Sequence, residues 1–258
     1  MDIREDNEER ILMRTNKWYG WVKDCLDHRD KMYKVEASVI PDAKLPDAVD
    51  LRSNIIKVYN QGSLGSCTAQ AIAGGISYIQ NNFLASRLFI YYNERVIEET
   101  VREDSGAQIR DGIKTIAREG VCPEHMWKYI VSNFDIKPNK ICYREAKKDV
   151  ISSYLRITTL NQMKSCLAQG YPFVFGFSVY ESFESEETAK TGIVCMPKDN
   201  DNLVGGHAVL GVGYDDKKKA IIVKNSWGKS WGEAGYFYMP YDYISNPNLA
   251  SDFWTIRK

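Results

Sequence analysis

Residues 61–73, QGSLGSCTAQAIA, and the apolar positions that follow them decide how the chain folds. Ala69, Ile72, Ala73, Ile76 and Ile79 recur at helical spacing, so a helix begins at Cys67. Gly62 and Gly65 allow a tight loop to deliver the Cys67 side chain at the first turn of that helix. Unpaired backbone N–H groups and the positive end of the helix dipole favour a thiolate there. Working outward, Phe89, Tyr92, Val96 and Glu99 predict a second helix. Ile109, Ile113, Ile116 and Ala117 predict a third, ended by Gly120. From about residue 156 the pattern turns to strands, at Phe173–Val179, His207–Tyr214, Ile221–Lys224 and Gly235–Met239. Lys217–Lys219 tops a hairpin between two of them. A helical stretch followed by a β stretch reads as α+β with two lobes, and a cleft between lobes is the expected place for a site.

Composition narrows the class. The 258 residues hold 34 Lys+Arg and 34 Asp+Glu, a balance that argues against a nucleic-acid or anionic-membrane binder. The best apolar run, residues 171–180, is ten long, short of the roughly 20 a transmembrane helix needs. The amino terminus mixes acids and bases with no apolar core, so it does not read as a secretory signal. Without one, the six cysteines are expected as mostly free thiols in a reducing compartment. Residues 1–44 form a polar leader with a helix expected around Glu8 to Trp18, closing in the Pro-punctuated segment SVIPDAKLPD.

Only three histidines are available to a nucleophile that needs an imidazole base: His28, His125 and His207. His28 and His125 lie in charged or polar loops. His207 follows Gly205 and Gly206 and precedes the apolar run Ala208 to Val212, a rigid position suited to a general base. Asn225 ends a strand and opens NSWGKSWG; its carboxamide can fix the imidazole tautomer, with Trp227 and Trp231 shielding the bond. Gln61 can set an amide beside the Cys67 N–H as an oxyanion hole. Each has a plainer reading, Cys67 as a small buried hydrophobe and Asn225 as a turn residue.

Taken together, Gln61-Gly-Ser-x-Gly-Ser-Cys67, Gly206-His207-Ala208-Val209 with Gly211-x-Gly213-Tyr214, Asn225-Ser-Trp227-Gly and Trp231-Gly-x-x-Gly235-Tyr236 resemble papain-like cysteine peptidases. His207 and Asn225 lie 140 and 158 residues after Cys67, close to the roughly 130–150 of that family. The resemblance covers residues 50–240 and implies a papain-like two-lobe fold, with a helical left lobe and an antiparallel, β-barrel-like right lobe. Lobe limits are expected at 45–155 and 156–258. It implies Cys67 as nucleophile, His207 as base and acid, Asn225 as orienter, Gln61 as oxyanion donor and Trp227 as shield. Gly106, Ala107, Gly206 and Trp227 are the expected substrate contacts. Leu45-Pro46-Asp47-x-x-Asp50-Leu51-Arg52 resembles the family's mature amino terminus.

Two positions depart from the pattern. Leu64 stands where a cysteine usually precedes Gly-Ser-Cys, so the usual disulfide is absent. Thr68 stands where a tryptophan usually follows the nucleophile, removing apolar cover. The pattern is most similar to the bacterial and large-DNA-virus branch. Asp104-Ser105-Gly106-Ala107 reads either as a peptide-backbone contact or as a cap for the Ile109 helix. The histidine pair of the dipeptide-removing type is missing, which favours an endopeptidase. The leader, too short for the family's usual prodomain, is expected along the cleft until removed; the alternative has it packed outside. The implied enzyme is a monomer acting on protein or peptide, with no cofactor, metal, nucleic acid or membrane. It is intracellular: cytoplasmic, or packaged in the particle if its source is a virus. A catalytically silent ligand-binding homologue is the main rival; an acyltransferase and a zinc site fit less well.

Overall fold

Strand β5 (Phe173–Tyr180, FVFGFSVY) is nearly all apolar because both of its faces are covered. It pairs antiparallel with β6 (Leu203–Asp215) on one side and β9 (Ala250–Arg257) on the other. The computed structural model describes residues 19–33, 45–55, 57–81 and 83–258, and these three strands are the middle of its seven-stranded sheet. The path runs β4 (Ser153–Ile157), β9, β5, β6, β7 (Ala220–Lys224), β8 (Tyr236–Pro240), each neighbour antiparallel. A short β2 (Ala48–Asp50) joins β6 beyond the end of β5.

Alternation along the strands divides the core in two. Val174, Ala208, Leu210, Val212, Ile222 and Trp254 face the helices. Phe173, Phe175, Phe177, Val209, Val223, Phe237 and Phe253 face a second, aromatic-rich core. A period of two therefore serves two buried layers rather than one buried and one wet. The expected barrel-like closure does not form; among the described residues no pairing joins β4 to β8. The β4 edge instead meets the leader: Arg156 N–H donates to Lys31 O and Tyr33 N–H donates to Arg156 O, both at 2.8 Å. The β8 edge is met by Gly192, which accepts from Tyr238 N–H at 2.7 Å. Both edges are covered, so neither needs the other.

Helix α1 (Cys67–Ile79) is buried from Cys67 to Ser77, and its small residues are the reason. Gly74 and Gly75 lie directly over Leu210 of β6, so the helix axis can approach the sheet closely. Helix α2 (Arg87–Ile97) starts at Ser86, whose hydroxyl accepts from Phe89 N–H at 3.2 Å. It stops short of Glu99, which the spacing had included and which instead has φ +60°. Helix α3 (Ile109–Glu119) ends at Gly120 with φ +75°, a conformation open to glycine. A short parallel pair, β1 (Trp21–Val22) with β3 (Ala107–Gln108), ties the leader to the start of α3.

The four expected strands are all present within a few residues. The strand reading after residue 156 omits α5 (Leu160–Ala168), which caps on Thr159 and buries Met163, Cys166 and Leu167. It also omits α6 (Glu186–Thr191), α7 (Tyr241–Ile244) and β9, while α4 (Lys140–Ala146) lies in the helical stretch. The helix expected around Glu8 to Trp18 lies outside the described residues.

Where α2 and α3 cross, a methyl on Gly112 would overlap the Glu94 carboxylate and the tip of Ile72. Ala gains about 1 kcal/mol over Gly in a helix interior. Overpacking at such a crossing costs about 1–3 kcal/mol. Gly112→Ala is expected to lower the urea midpoint of unfolding despite its better helix propensity.

Candidate active site

The loop that presents Cys67 is held by side chains rather than by its own turns. Gly65 N–H donates to both carboxylate oxygens of Asp104, at 3.0 and 2.9 Å, and Tyr91 hydroxyl also donates to Asp104. Ser66 precedes the helix, yet its hydroxyl does not cap it. It bonds Tyr129 hydroxyl at 2.6 Å instead, and Tyr129 donates to Gln61 O at 2.8 Å. The first turn therefore keeps N–H groups for the sulfur: Thr68 N–H is directed at Cys67 Sγ, joined by Ala208 N–H from β6 and Gly20 N–H from the leader.

Cys67 is fully buried, and burial pushes its thiol up to about 12, against the lowering effect of those N–H groups. Burial thus opposes the thiolate expected at a helix N-terminus while Gly20 lies over the sulfur.

His207 Nε2 and Asn225 Oδ1 are 2.8 Å apart, and Asn225 Oδ1 also accepts from Ser226 N–H at 2.8 Å. The carboxamide oxygen is thereby aimed at the ring, which leaves Nδ1 as the imidazole nitrogen for chemistry. Trp227 stacks on the imidazole with centroids 4.9 Å apart and planes at 24°, while Phe177 and Tyr19 meet it edge-on at 5.8 and 6.0 Å. Gln61, also buried, accepts from Ser226 hydroxyl at 2.7 Å through Oε1 and donates from Nε2 to Leu64 O at 2.9 Å. That fixes the orientation of its amide. His28 and His125 are exposed on loops.

Gly106, Ala107 and Gly206 all meet the leader. Ala107 N–H donates to Gly20 O at 2.7 Å, and added methyls on Gly106 and Gly206 would strike Gly20 and Trp21 respectively. Gly106 N–H donates to Tyr91 Oη at 3.2 Å. Asp104 and Ser105 do not cap α3, whose first residue follows Gln108 without a side-chain cap. Asp104 clamps the nucleophile loop instead.

The residues that sequence reasoning missed are those that brace the site. Thr68, noted only as lost apolar cover, is fully buried and donates its hydroxyl to Glu94 Oε1 at 2.6 Å. Among the described residues Glu94 Oε2 is buried without a hydrogen-bond partner, and burial holds the carboxyl well above its usual range, which favours the neutral form. Ser226 and Tyr129 join them. Tyr19, Gly20 and Trp21 carried one sequence signal, a glycine between aromatics in WYGW.

Comparison with known proteins agrees with this geometry. Residues 45–254 match the papain family cysteine protease model. The chain is 45% identical to an "uncharacterized peptidase C1-like protein" of Acanthamoeba polyphaga mimivirus, over 93% of this chain and 86% of that one. It is 28% identical to pro-cathepsin H of Mus musculus, over 74% of this chain and 59% of that one. Among solved structures, xylellain, a cysteine protease from Xylella fastidiosa, superposes with a TM-score of 0.88 at 46% identity, covering 93% of this chain and 96% of that one.

Glu94 binds its proton more tightly folded than unfolded, so stability is fullest below the unfolded value of 4.5 and falls as pH rises through the folded one. The thermal midpoint of the wild type is expected to decline from pH 5 to 8, and Glu94→Gln to flatten that decline. Thr68→Val, which leaves the carboxyl unpartnered, is expected to cost about 1–3 kcal/mol in urea denaturation at pH 7.

Proposed function

The chain belongs to the papain family of cysteine proteases and is a peptidase, and on that premise we propose that it is an endopeptidase made as a zymogen. The single observation that carries the catalytic reading is the 2.8 Å contact from His207 Nε2 to Asn225 Oδ1 beneath Trp227, which leaves Nδ1 for the thiol. The Cys67 thiolate attacks a peptide carbonyl, forming a C–S bond as the C=O pair moves onto oxygen. Cys67 N–H and Gln61 Nε2 hold the oxyanion. His207 gives the thiol's proton to the leaving amine, and the C–N bond breaks. Water, losing a proton to His207, then hydrolyses the thioester and restores the thiol.

The silent-homologue alternative drew on Thr68. Its side chain is buried against Glu94 rather than lining the cleft, which takes away that motive.

The leader is the regulatory half of the proposal. Gly20 lies against Cys67 and Gly65 and its carbonyl oxygen accepts from Ala107 N–H, so it covers the backbone groups a substrate would need. Downstream, Asp24 accepts from Arg156 at 2.9 Å and from Trp254 Nε1 at 2.8 Å, and Asp30 accepts from Arg110 at 3.0 Å. The segment is anchored on both α3 and the β lobe and laid over the nucleophile. The mature body would start near Leu45, just before β2 enters the sheet. The same reading takes the enzyme as a monomer acting on protein or peptide substrates, cytoplasmic, or in the particle if viral.

The test is irreversible labelling by a peptidyl electrophile, read by mass spectrometry. A side chain at position 20 would overlap the Gly65 carbonyl oxygen, so Gly20→Leu unseats the leader without deleting Tyr33 from the core. Labelling at Cys67 is expected to be faster in Gly20→Leu than in the wild type and absent in Cys67→Ala. Equal rates would end the inhibitory role. No labelling at Cys67 in either folded, reduced form would replace the peptidase with the silent homologue. In the unblocked protein, Asn225→Ala is expected to reduce peptide turnover less than Cys67→Ala does.

A further inference from the structure

The leader leaves an imprint of what the cleft accepts. Trp21 follows Gly20 directly, and its indole lies in a slot between neighbouring strands β5 and β6. A methyl on Gly176 would overlap the five-membered ring of the Trp21 indole, to which all three atoms nearest to it, Cε2, Nε1 and Cδ2, belong. A methyl on Gly206 would fall 2.8 Å from Cε3 on the indole's other edge. The slot therefore exists because two glycines face it. At its floor Trp21 Nε1 donates to Asp252 Oδ2 at 3.2 Å. Asp252 is itself buried, in β9 with φ +58°, and its other oxygen accepts from Arg156 at 3.3 Å.

Resting on the reading that residues 19–33 occupy the substrate cleft, we infer that this slot is a specificity pocket for a bulky aromatic side chain that donates a hydrogen bond, tryptophan first and tyrosine second. Asp252 is its specificity-determining residue.

Charge decides against a lysine or arginine occupant. In the closed protein the floor network holds three acids, Asp24, Asp30 and Asp252, and two guanidiniums, Arg110 and Arg156. Asp24 and Asp30 belong to the leader and depart with it. Asp252 then remains paired with Arg156 at 3.3 Å, so its charge is already matched. A neutral donor loses nothing by this, and a cation finds no unmatched partner. Departure of the leader also frees Asp252 Oδ2, which accepts from Asp24 N–H at 2.8 Å as well as from the indole. A buried carboxylate oxygen left without a donor is costly, so a substrate that supplies one is favoured over one that does not.

The pocket's preference can be read without turnover. In the full chain, the rate of electrophile labelling at Cys67 reports how often the leader lifts. Trp21→Phe keeps the ring and removes the donor, and is expected to raise that rate about tenfold, the scale of a hydrogen bond to a charged acceptor. A Trp21→Phe rate equal to the wild type would overturn the assignment, because the indole N–H would then contribute nothing to the hold.

Peptide-library cleavage by the Gly20→Leu protein is the second reading. Tryptophan and tyrosine are expected to dominate at one position beside the cut. Replacing that tryptophan by benzothienylalanine, its isostere without the N–H, is expected to lower kcat/KM about tenfold. Gly176→Ala, whose methyl fills the slot, is expected to lower the tryptophan-to-leucine ratio of kcat/KM at least tenfold. Cleavage with no aromatic preference would overturn the pocket and leave the peptidase standing. The expected labelling order with no cleavage of any peptide would sustain the pocket and overturn the peptidase.

Discussion

The contact between α1 and β6 governs everything built around the cleft. Gly74 and Gly75 let the helix lie on Leu210, and that separation brings the helix's first residue beside the backbone of Ala208. A side chain larger than a methyl at either glycine would lift α1 from the sheet and carry Cys67 away from His207, one residue before Ala208. Tight packing of this kind is unforgiving, because a core transmits a displacement rather than absorbing it. The nucleophile is thus placed by apolar contact far from any polar group that does chemistry.

Around that contact, charge is managed by burial more than by pairing. Helix geometry and three N–H groups favour the Cys67 thiolate, yet removal from water outweighs them in the closed protein. Glu94, one side chain behind, is pushed toward its neutral form by the same means and holds Thr68 through a hydrogen bond. A carboxylate and a thiolate near one helix end would repel. Burial disfavours both charges, which lets the site be dense without a counter-charge for each. Opening the cleft to water changes the balance for Cys67 alone, since Glu94 stays inside the helical layer.

Much of this was legible in the sequence because it follows local rules. Helical spacing after Cys67, glycines before it, apolar β-runs, and the short spacing from Gly206 to Trp227 each depend on near neighbours. The strands at 173, 207, 221 and 235 were visible for the same reason. What stayed hidden depends on residues far apart in the chain. β9 and β4 pair with each other across about a hundred residues, and neither alternates cleanly in polarity. Glu94 carries no sign of its role until α2 and α3 cross over Thr68. Asp104 read equally well as a helix cap or a backbone contact, and only the fold brings Gly65 within reach of it. The open sheet was equally unreadable, because its edges are covered by leader and loop backbone that carry no side-chain pattern.

The leader's docking combines two kinds of recognition that differ in what they demand of the sequence. At Gly20 it is held by backbone: a carbonyl on Ala107 N–H, an N–H toward sulfur, and no side chain at all. Nothing there would distinguish one peptide from another, apart from the requirement that the residue be small. On either side the side chains do the discriminating, with Tyr19 beside Trp227 and bonded to Glu184, and Trp21 between two glycines. The ion-pair cluster at Asp24 and Asp30 then fastens the segment to the β lobe beyond the cleft. A segment tethered in this way re-enters the cleft as an intramolecular ligand at high effective concentration. Weak contacts at the nucleophile therefore suffice, and a single cut upstream of Tyr19 would not release them. In the proposed zymogen, lifting the leader would require loss of the anchor at Asp24 or of the grip at Trp21, and those two places, rather than the thiol, would set how readily the site opens.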